Sequence, residues 1–418
     1  MSEASIRPAT AHWPNNGLTR VPYALYDDQV VYERERERLF KGPTWNVLGL
    51  ECEIPKPGDY KTSFLGDVPV VLVRGRDGTL KGFENRCAHR GALLCLERFG
   101  NAKAFTCVYH AWSYDHDGNL TGVAFQNGVK GQGGMPADFR RQDHGLRRLK
   151  VAALAGLVFG SFDAEVPPLE EYLGAEIVQR IRRVLPRPVK VLGYYTQTLR
   201  NNWKLYAENV RDPYHASILH LFFTTFRINR LSQKGGIIVD ASGGHHVSYS
   251  MLDGKPDKNG GDRDYDAAKL RADDASIGLK EPGLLAGRDE FGDGITLQIL
   301  SVFPNLVIQQ VRNSLVVRQI VPKGVDRTDI VWTNYGFVDD DEELAALRLM
   351  QSNFVGPAGY ISMEDGAVGA FVQRALPGTA AETSVVMMGG DGATSQESRA
   401  TETSVRGFWK AYRNAMDI

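Results

Sequence analysis

Apolar and polar residues alternate in short runs between about residues 43 and 165, a period that predicts β-strands rather than helices. Three of these runs are Tyr60 to Phe64, Val68 to Arg74 and Thr79 to Glu84. Asp77-Gly78, between the last two, favours a tight hairpin turn. The apolar run Val151 to Phe162 predicts a closing strand, so this part of the chain is expected to form an all-β domain.

The rest of the chain mixes helical and strand periods. Apolar residues at steps of three and four predict helices at Asp28 to Leu39, Leu169 to Leu185, Asn201 to Leu221, Asp341 to Asn353 and Ser398 to Met416. Runs with strand character are Val189 to Arg200, Gly294 to Phe303, Leu306 to Val311, Leu315 to Val321 and Ile330 to Phe337. They predict an antiparallel sheet in a second domain, residues 166–418, to which residues 1–42 also belong. Residues 253–294 show no period and are predicted to be a loop.

Composition and charge narrow the possible function classes. The chain has 418 residues, 43% of them hydrophobic and 24% charged, which allows a large core and is unlike a disordered protein. The formal net charge is −1 and no run of five like charges occurs, so neither nucleic acid nor an anionic membrane is an expected partner. No signal peptide or membrane span is predicted, and four cysteines are too few for a disulfide framework, so we expect a cytoplasmic protein.

Two of the cysteines are spaced like metal ligands. Cys87-x-His89 and Cys107-x-x-His110 each place one thiolate and one imidazole in a short loop. A zinc finger would usually take two cysteines from one loop and two histidines from the other. One of each per loop is what a Rieske [2Fe–2S] centre requires, because two cysteines bind one iron and two histidines bind the other. The pattern favours such a cluster, with zinc as the alternative, and Cys95 is interpreted as a buried, inert thiol.

A second candidate metal site lies between Glu208 and His220. His215 and His220 follow Asp212 in a segment with helical spacing, and imidazoles beside a carboxylate suit a non-haem ferrous ion. Five residues separate the two histidines, so they reach one point only if the helix is distorted there. A helix whose histidines face solvent is the alternative that this segment leaves open.

Together, Cys87-x-His89, Cys107-x-x-His110 and Asp212-Pro-Tyr-His215 with His220 resemble the large (α) subunit of the Rieske non-haem iron aromatic-ring-hydroxylating dioxygenases. The resemblance extends over nearly the whole chain. It implies an α+β fold, in which an all-β Rieske domain, residues 43–165, is inserted in a helix-grip-like catalytic domain with an antiparallel sheet and helices. It also implies two cofactors, a Rieske [2Fe–2S] cluster and a mononuclear non-haem Fe(II).

The resemblance further implies a ligand set for the mononuclear iron. His215 and His220 would be two of the ligands, and Asp365 in Ser362-Met363-Glu364-Asp365-Gly366 would be the third. From the residues alone, Glu364 and Asp365 cannot be separated. The four residues of the cysteine–histidine loops would hold the cluster.

Asp212 is implied to connect the two centres rather than to bind metal. It would bridge His110 of a neighbouring subunit and His215, which makes an oligomer the functional unit, an α trimer or an α3β3 assembly with a small β subunit. No nucleotide-binding glycine motif occurs, so electrons are expected from a separate NADH-dependent reductase. The distant alternative is a Rieske electron-transfer protein without a working oxygenase site.

The expected reaction is the cis-dihydroxylation of an aromatic carboxylate with O2. Runs such as Phe222-Phe223-Thr224-Thr225-Phe226 resemble the terephthalate branch of the family, so terephthalate, attacked at positions 1 and 2, is the favoured substrate. Anthranilate, salicylate and halobenzoate oxygenation, including monohydroxylation, are alternatives on the same scaffold.

Two arginines are predicted to bind the substrate. Arg318 is the cation of an otherwise apolar strand, Leu315 to Val321, where burial requires an anion or dense hydrogen bonding. A guanidinium matches a carboxylate bidentately. Arg399 is predicted at the start of the C-terminal helix, where exposed amides favour an anion. The alternatives are a structural salt bridge for Arg318 and an ordinary surface position for Arg399.

Overall fold

The computed structural model describes residues 13–14, 17–226, 228–251 and 278–418. The predicted loop at 253–294 lies outside the described residues as far as position 277. Two compact units divide the chain: Phe40–Leu169 forms one, and the described residues on either side of it in sequence form the other.

The strands are numbered in chain order. They are β1 Arg20–Pro22, β2 Asn46–Leu50, β3 Asp59–Leu65, β4 Val68–Arg74, β5 Leu80–Glu84, β6 Phe99–Asn101, β7 Phe105–Thr106, β8 Ser113–Tyr114, β9 Leu120–Gly122, β10 Arg148–Leu154, β11 Leu157–Ser161, β12 Val189–Leu199, β13 Gly235–Val239, β14 His246–Met251, β15 Ile295–Val302, β16 Leu306–Val311, β17 Ser314–Pro322, β18 Thr328–Phe337 and β19 Thr383–Val385.

The helices are mostly short. The α-helices are Gln29–Glu35, Leu169–Leu173, Ala175–Val184, Trp203–Asn209, Ala216–Leu219, Leu221–Thr225, Glu342–Gln351, Ser362–Ala375 and Thr403–Met416. A π-helical turn, Arg36–Phe40, continues the first of them, and 3-10 turns lie at Tyr23–Tyr26, Glu51–Glu53, Arg141–His144, Pro282–Leu285 and Ser352–Phe354.

In the unit Phe40–Leu169, seven strands form an antiparallel sheet in the order β2-β11-β10-β5-β4-β3-β6, and β7, β8 and β9 form a smaller sheet. Successive side chains of β4 point to opposite faces of the large sheet. Val71 and Val73 therefore pack in a core with Cys87 and Cys107, whereas Leu72 packs in a second core on the other face. One face of the sheet thus supports the two cysteine–histidine loops, and the all-β prediction for this unit is confirmed.

The prediction of one strand from Val151 to Phe162 is wrong. β10 and β11 form a hairpin whose turn residues, Ala155 and Gly156, have φ angles of 51° and 83°. Both strands carry buried apolar residues up to the turn, so the sequence reads as one continuous run. By contrast, the turn at Asp77-Gly78 is confirmed, with Gly78 at a φ of 81°.

The second unit is built on a seven-stranded antiparallel sheet in the order β12-β18-β17-β16-β15-β14-β13. Every residue of β16 and β17 is buried. A strand covered on both faces shows no alternation, which explains the continuous apolar pattern that its sequence has. The predicted antiparallel sheet is confirmed, and with it the α+β class.

Three of the predicted helices around this sheet differ from the structure. The helix expected at Asn201 to Leu221 is broken into Trp203–Asn209, Ala216–Leu219 and Leu221–Thr225, so the expected distortion takes the form of a break. The helix expected at Leu169 to Leu185 is interrupted at Gly174, whose φ is 77°. The C-terminal helix begins at Thr403, so Arg399 lies before it and not at its start.

A buried carboxylate joins three helices near the broken segment. Lys204 Nζ lies 2.6 Å from Glu35 Oε1, and Trp203 Nε1 donates to Glu35 Oε2 at 2.8 Å. Tyr412 Oη donates to the same carboxylate at 2.5 Å. The N-terminal helix, the helix before the break and the C-terminal helix are therefore fixed to one another. In the part of the chain that is described, no helix has the length and apolar character needed to cross a membrane.

Candidate metal centres and substrate cavity

The two cysteine–histidine loops are closed by the same backbone hydrogen bonds. In the first, Cys87 N donates to Ala92 O at 2.8 Å and Gly91 N donates to Cys87 O at 2.9 Å. The second loop repeats both bonds at the same spacing from Cys107. Each loop therefore presents a cysteine at its base and a histidine near its tip.

The cysteines of these loops are buried, and their two imidazoles lie close together. Cys87 and Cys107 are buried free thiols. The rings of His89 and His110 lie 4.6 Å apart at 76°, and Nδ1 of each is buried without a hydrogen-bond partner in the described part of the chain. Buried polar atoms are costly when they are left unpaired. The two nitrogens and two thiols are the donor set that a [2Fe–2S] cluster of the Rieske type takes.

A second set of candidate ligands lies outside the two loops. Among the described residues, His215, His220 and Asp365 form a group whose ligand atoms all lie within 4.8 Å of one another. Two imidazoles and one carboxylate at this spacing suit a single metal ion.

Aromatic side chains surround the loops. Tyr114 Oη lies 3.4 Å from Cys87 Sγ and accepts a hydrogen bond from Ala88 N at 3.1 Å. Trp112 stacks on the His89 ring at 4.7 Å and 6°. Hydrogen bonds to cluster sulfurs and limited solvent access are what tune the potential of such a centre. Burial raises the pKa of Cys95 to about 12, in agreement with its interpretation as an inert thiol.

The second centre forms where the helix is broken. His215 precedes the helix Ala216–Leu219, and His220, in an extended conformation, connects it to the helix Leu221–Thr225. Nε2 of each histidine lies 3.3 Å from Asp365 Oδ1. On a regular helix, histidines five residues apart would point in different directions. The break removes this obstacle, because it turns both imidazoles toward one point. Solvent-facing histidines, the alternative, do not agree with this geometry.

A carboxylate holds each imidazole from behind. Asp212 Oδ2 lies 3.1 Å from His215 Nδ1, and Glu364 Oε2 lies 2.8 Å from His220 Nδ1. Such contacts fix the tautomer and the ring orientation of a metal-binding histidine. The structure therefore separates the two adjacent acids, since Asp365 faces both Nε2 atoms and Glu364 lies behind one ring. Sequence reasoning missed the place of Glu364, although its position next to Asp365 was the available signal.

The electrostatics of the three-residue group fit a cation. Burial alone would lower the pKa of His215, but hydrogen bonds to Asp212 and Asp365 raise it to about 10. Against the effect of burial, Asp365 and Glu364 likewise raise the pKa of His220. Burial would raise the pKa of Asp365, but the two imidazoles hold it well below its usual range. Three acids around two imidazoles supply the negative charge that a divalent ion would neutralise.

A cavity opens beside this group. Its wall includes His215, His220 and Asp365, and it also includes Arg318 and Arg399. The structure therefore brings both predicted substrate arginines to the same cavity as the predicted iron ligands. Apolar side chains complete the wall, among them Phe223, Leu297 and Ile299.

Arg318 is buried, with 2% of its surface exposed. Nη1 donates to Tyr206 Oη at 2.9 Å, and the guanidinium lies 4.3 Å from the ring of Trp332. Nε is buried without a partner, and no acid among the described residues pairs with this guanidinium. The salt-bridge alternative therefore finds no support. The Nε side of the guanidinium remains available to bind an anion.

Arg399 is also buried, which excludes the ordinary surface position. It donates hydrogen bonds to Asn229 Oδ1 and Arg230 O. Since it precedes the C-terminal helix by several residues, the exposed amides of that helix cannot be the reason for its position. Its place in the cavity wall is set by these two hydrogen bonds, which tie it to Asn229 and Arg230 from a distant part of the chain.

The adjacent histidines His245 and His246 have different environments, as expected for neighbours at the start of a strand. His245 Nε2 lies 2.9 Å from Tyr172 O, and His245 Nδ1 accepts from Phe303 N at 3.2 Å. Both of its nitrogens bind backbone groups, so His245 has a structural role. His246 is fully buried, and among the described residues neither of its nitrogens has a hydrogen-bond partner.

Family models match both units of the chain. Residues 44–131 match the Rieske [2Fe-2S] domain, and residues 186–418 match the ring hydroxylating alpha subunit (catalytic domain). The chain is 57% identical to the terephthalate 1,2-dioxygenase terminal oxygenase component subunit alpha 2 of Comamonas sp., over 98% of each chain. It is 46% identical to the anthranilate 1,2-dioxygenase large subunit of Burkholderia cepacia, over 97% of this chain and 95% of that one.

Two further similarities extend the comparison. The chain is 41% identical to the salicylate 5-hydroxylase large oxygenase component of Ralstonia sp., over 98% and 97% of the two chains. The fold is similar to that of naphthalene 1,2-dioxygenase from Rhodococcus sp. bound to indole, with a TM-score of 0.78 over 95% and 94% of the chains at 24% identity. The match confirms the predicted combination of a Rieske domain with a catalytic domain of antiparallel strands and helices.

Proposed function

Because the chain belongs to the family of ring-hydroxylating oxygenase α subunits with a Rieske [2Fe-2S] domain, we propose that it dihydroxylates an aromatic carboxylate, terephthalate, at positions 1 and 2. The enzyme is a Rieske-type ring-hydroxylating dioxygenase with a [2Fe–2S] cluster and a mononuclear non-haem iron. The observation that carries the substrate proposal is the presence of two buried arginines, Arg318 and Arg399, in the wall of one cavity. Two fixed cations suit a flat ring with two carboxylates. The 57% identical relative is named for terephthalate.

In this proposal, each donor set has one task. Cys87, His89, Cys107 and His110 would hold the cluster, and His215, His220 and Asp365 would hold the iron. When bound, the two groups would supply electron transfer and O2 activation beside the substrate.

The chain's own residues prepare the site for that chemistry. Asp212 and Glu364 hold the Nδ1 atoms of the two histidines, so that both Nε2 atoms face Asp365. The arginines fix the orientation of the ring, and Phe223, Leu297 and Ile299 pack against its faces and exclude water from it. Holding a reactant in one orientation lowers the entropic part of the activation barrier, which can account for a large part of a rate enhancement.

Electron supply requires partners. We propose an NADH-dependent reductase as the donor and an α trimer or α3β3 assembly, with a small β subunit, as the working unit. Within it, Asp212 would connect His215 with His110 of a neighbouring subunit. Arg90 Nη2 now lies 2.9 Å from His110 Nε2, so the exposed Arg90 side chain has to release that nitrogen when the subunits assemble.

The second candidate substrates are anthranilate and salicylate, which the names of the 46% and 41% identical relatives favour. Each has one carboxylate, so each would use one of the two arginines. An electron-transfer role without oxygenation is not favoured, because the three ligand side chains of a mononuclear site converge within 4.8 Å.

Oxygen uptake with a supplied reductase tests the proposal. Four substrates are compared at equal concentration: terephthalate, benzoate, anthranilate and salicylate. For each, the product is identified and the ratio of product formed to O2 consumed is measured. We expect coupled turnover to be fastest with terephthalate and to yield a cis-dihydrodiol. Fast turnover of anthranilate or salicylate with none of terephthalate would contradict the two-arginine proposal and leave the enzyme class unchanged.

A further inference from the structure

Four polar side chains cross the sheet face that forms the floor of the cavity. His246 on β14 pairs with Ser301 on β15. Ser301 pairs with Val307 on β16, and Val307 pairs with Arg318 on β17. Gln309 lies two residues after Val307, on the same face of β16, and is a diagonal neighbour of both Ser301 and Arg318. We call His246, Ser301, Gln309 and Arg318 the polar row.

Each member of the polar row is at most 3% exposed. Both ring nitrogens of His246, Ser301 Oγ, Gln309 Oε1 and Arg318 Nε are buried without a hydrogen-bond partner among the described residues. Buried polar groups in folded proteins are almost always paired. A contiguous group of four exceptions costs stability, and it indicates a bound ligand or ordered water. Gln309 and Arg318 line the cavity, so its ligand reaches them directly.

The hydrogen-bonding capacity of the row identifies the ligand class. Burial, and the nearby charge of Arg211, lower the pKa of His246 far below its usual value, so the ring is neutral, with one donor and one acceptor nitrogen. The serine hydroxyl can accept from the ring and donate to Gln309 Oε1. The amide of Gln309 then donates from Nε2, and Arg318 only donates. His246, Ser301 and Gln309 make no direct hydrogen bond to one another in the described structure, so the chain runs through ordered water toward the cavity and ends on an acceptor. An anion satisfies it and an ammonium group, which only donates, does not.

We propose that Gln309 is a specificity-determining residue that donates a hydrogen bond to the substrate carboxylate held by Arg318. Ser301 and His246 are positioning residues that orient its amide. The inference rests on the proposed function, because it takes the ligand to be an aromatic carboxylate. Arg318 Nη1 is already bound to Tyr206, which leaves the Nε edge for the anion and places Gln309 beside it.

Two substitutions of Gln309 test the contact in the full chain, loaded with both metals and assembled with its partner subunits. Gln309→Leu keeps the size and removes the hydrogen bonds, and we expect the Kd of terephthalate to rise about ten- to a hundredfold. Gln309→Glu keeps the shape but adds a negative charge, and it should weaken binding further. In the same titrations, KM should rise with Kd while kcat changes less, since the contact is made in the bound substrate.

The control for folding comes from the same physical argument. Replacing an unpaired buried amide by leucine should leave the melting temperature of the substrate-free protein unchanged or raise it. The Rieske absorbance and the iron content should equal those of the wild type. Loss of terephthalate affinity at unchanged or higher stability then belongs to binding.

A double-mutant cycle separates this contact from a general effect on the cavity. The combined effect of Gln309→Leu and Arg318→Met on Kd should be clearly smaller than the product of the two single effects, because both residues bind one carboxylate. The pair Gln309→Leu and Arg399→Met is the matched control and should multiply. Ser301→Ala should weaken binding in the wild type and have no effect when Gln309→Leu is already present.

The outcomes decide the inference and the proposed function separately. A Kd within twofold of the wild type for Gln309→Leu, or multiplicative effects with Arg318→Met, would overturn the role of Gln309. If the wild type binds anthranilate or benzoate and not terephthalate, the proposed substrate is wrong. The cycle is then run with that carboxylate, and the same two results overturn or support the contact.

Discussion

Glu364 and Asp365 are adjacent acids whose side chains meet different atoms of one site. Asp365 Oδ1 lies 3.3 Å from Nε2 of both histidines, and Glu364 Oε2 lies 2.8 Å from Nδ1 of His220. Neighbouring residues on a helix point about 100° apart, so the two acids approach the histidines from different directions. We interpret Asp365 as the ligand and Glu364 as the residue that orients His220.

Substitutions of the two acids should therefore have different effects. Asp365→Ala should lose the mononuclear iron and all oxygenation and keep the Rieske absorbance. Glu364→Gln should keep the site but weaken its affinity for Fe(II) about ten- to a hundredfold, because only the orientation of one ligand is relaxed. Ferrous ion titration of each variant, together with the Rieske spectrum, measures both effects.

The neighbouring Met363 is 57% exposed, so Met363→Leu is the matched control and should bind iron as the wild type does. An Asp365→Ala variant with normal iron content would show that the ligand is misassigned. Full loss of iron in Glu364→Gln would make Glu364 the ligand instead.

At the scale of elements, the strands were easier to predict than the helices that carry the site. The helix Ser362–Ala375 was missed because Gly366 and Gly369 weaken its helical pattern. The structure gives the reason for both glycines. A Cβ on Gly369 would lie 2.1 Å from Asn201 Nδ2, and one on Gly366 would lie 2.9 Å from Gln197 Nε2. These contacts with distant side chains favour glycine at both positions, whereas the sequence alone shows only the low helix propensity of glycine.

For the site, the sequence predicted the candidate metal ligands but not the geometry that brings them together. The ligand candidates could be found because their residue types and spacing are specific to metal chemistry. The break that brings His215 and His220 together, and the polar row on the sheet, depend on contacts between distant strands and helices. Gln309 and Ser301 are ordinary polar residues in strand sequences, so no local signal marks them.

Glu208, in the helix Trp203–Asn209, is hydrogen-bonded to the N-terminal 3-10 turn Tyr23–Tyr26 and to the C-terminal helix. Tyr26 Oη donates to Glu208 Oε1 at 2.7 Å, and Trp409 Nε1 donates to the same oxygen. Burial raises the pKa of Glu208 to about 7 from a usual value of 4.5. A carboxyl group whose pKa is higher in the folded state binds its proton more tightly there. Its contribution to stability is greatest below the unfolded pKa and is lost as the pH rises through the folded pKa.

We expect Glu208→Gln to remove this pH dependence, because the amide oxygen can still accept both hydrogen bonds and does not ionise. The wild type should lose stability relative to the variant by on the order of 1–3 kcal/mol between about pH 5 and 7.5. Denaturant unfolding of both proteins at several pH values measures the difference. Parallel stability curves over this range would contradict the assignment of a raised pKa to Glu208.

At the scale of the whole molecule, electrons have to pass from the cluster to the mononuclear iron. Asp212 is suited to this step, since Oδ2 lies 3.1 Å from His215 Nδ1 and Oδ1 accepts from Tyr214 N at 2.8 Å. Its side chain is 21% exposed, so it is still accessible from outside its own unit. In the proposed oligomer, His110 of a neighbouring subunit would meet this exposed side.

Asp212→Asn should leave both metals loaded and reduce turnover about a hundredfold or more, because an amide carries no charge and can present a donor to His215 Nδ1.

Mixing chains tests whether the route runs between subunits. Asp212→Asn chains, which keep their cluster, are co-assembled with Cys107→Ser chains, which lack a cluster and keep Asp212. Each variant by itself should be nearly inactive. In mixed oligomers, the cluster of one chain can reduce the iron of the next through an intact Asp212, so oxygen uptake should return. Transfer within one chain predicts no recovery, since no chain in the mixture has both an intact cluster and Asp212. Wild-type turnover by Asp212→Asn oligomers would show that electrons take a path that does not involve this carboxylate.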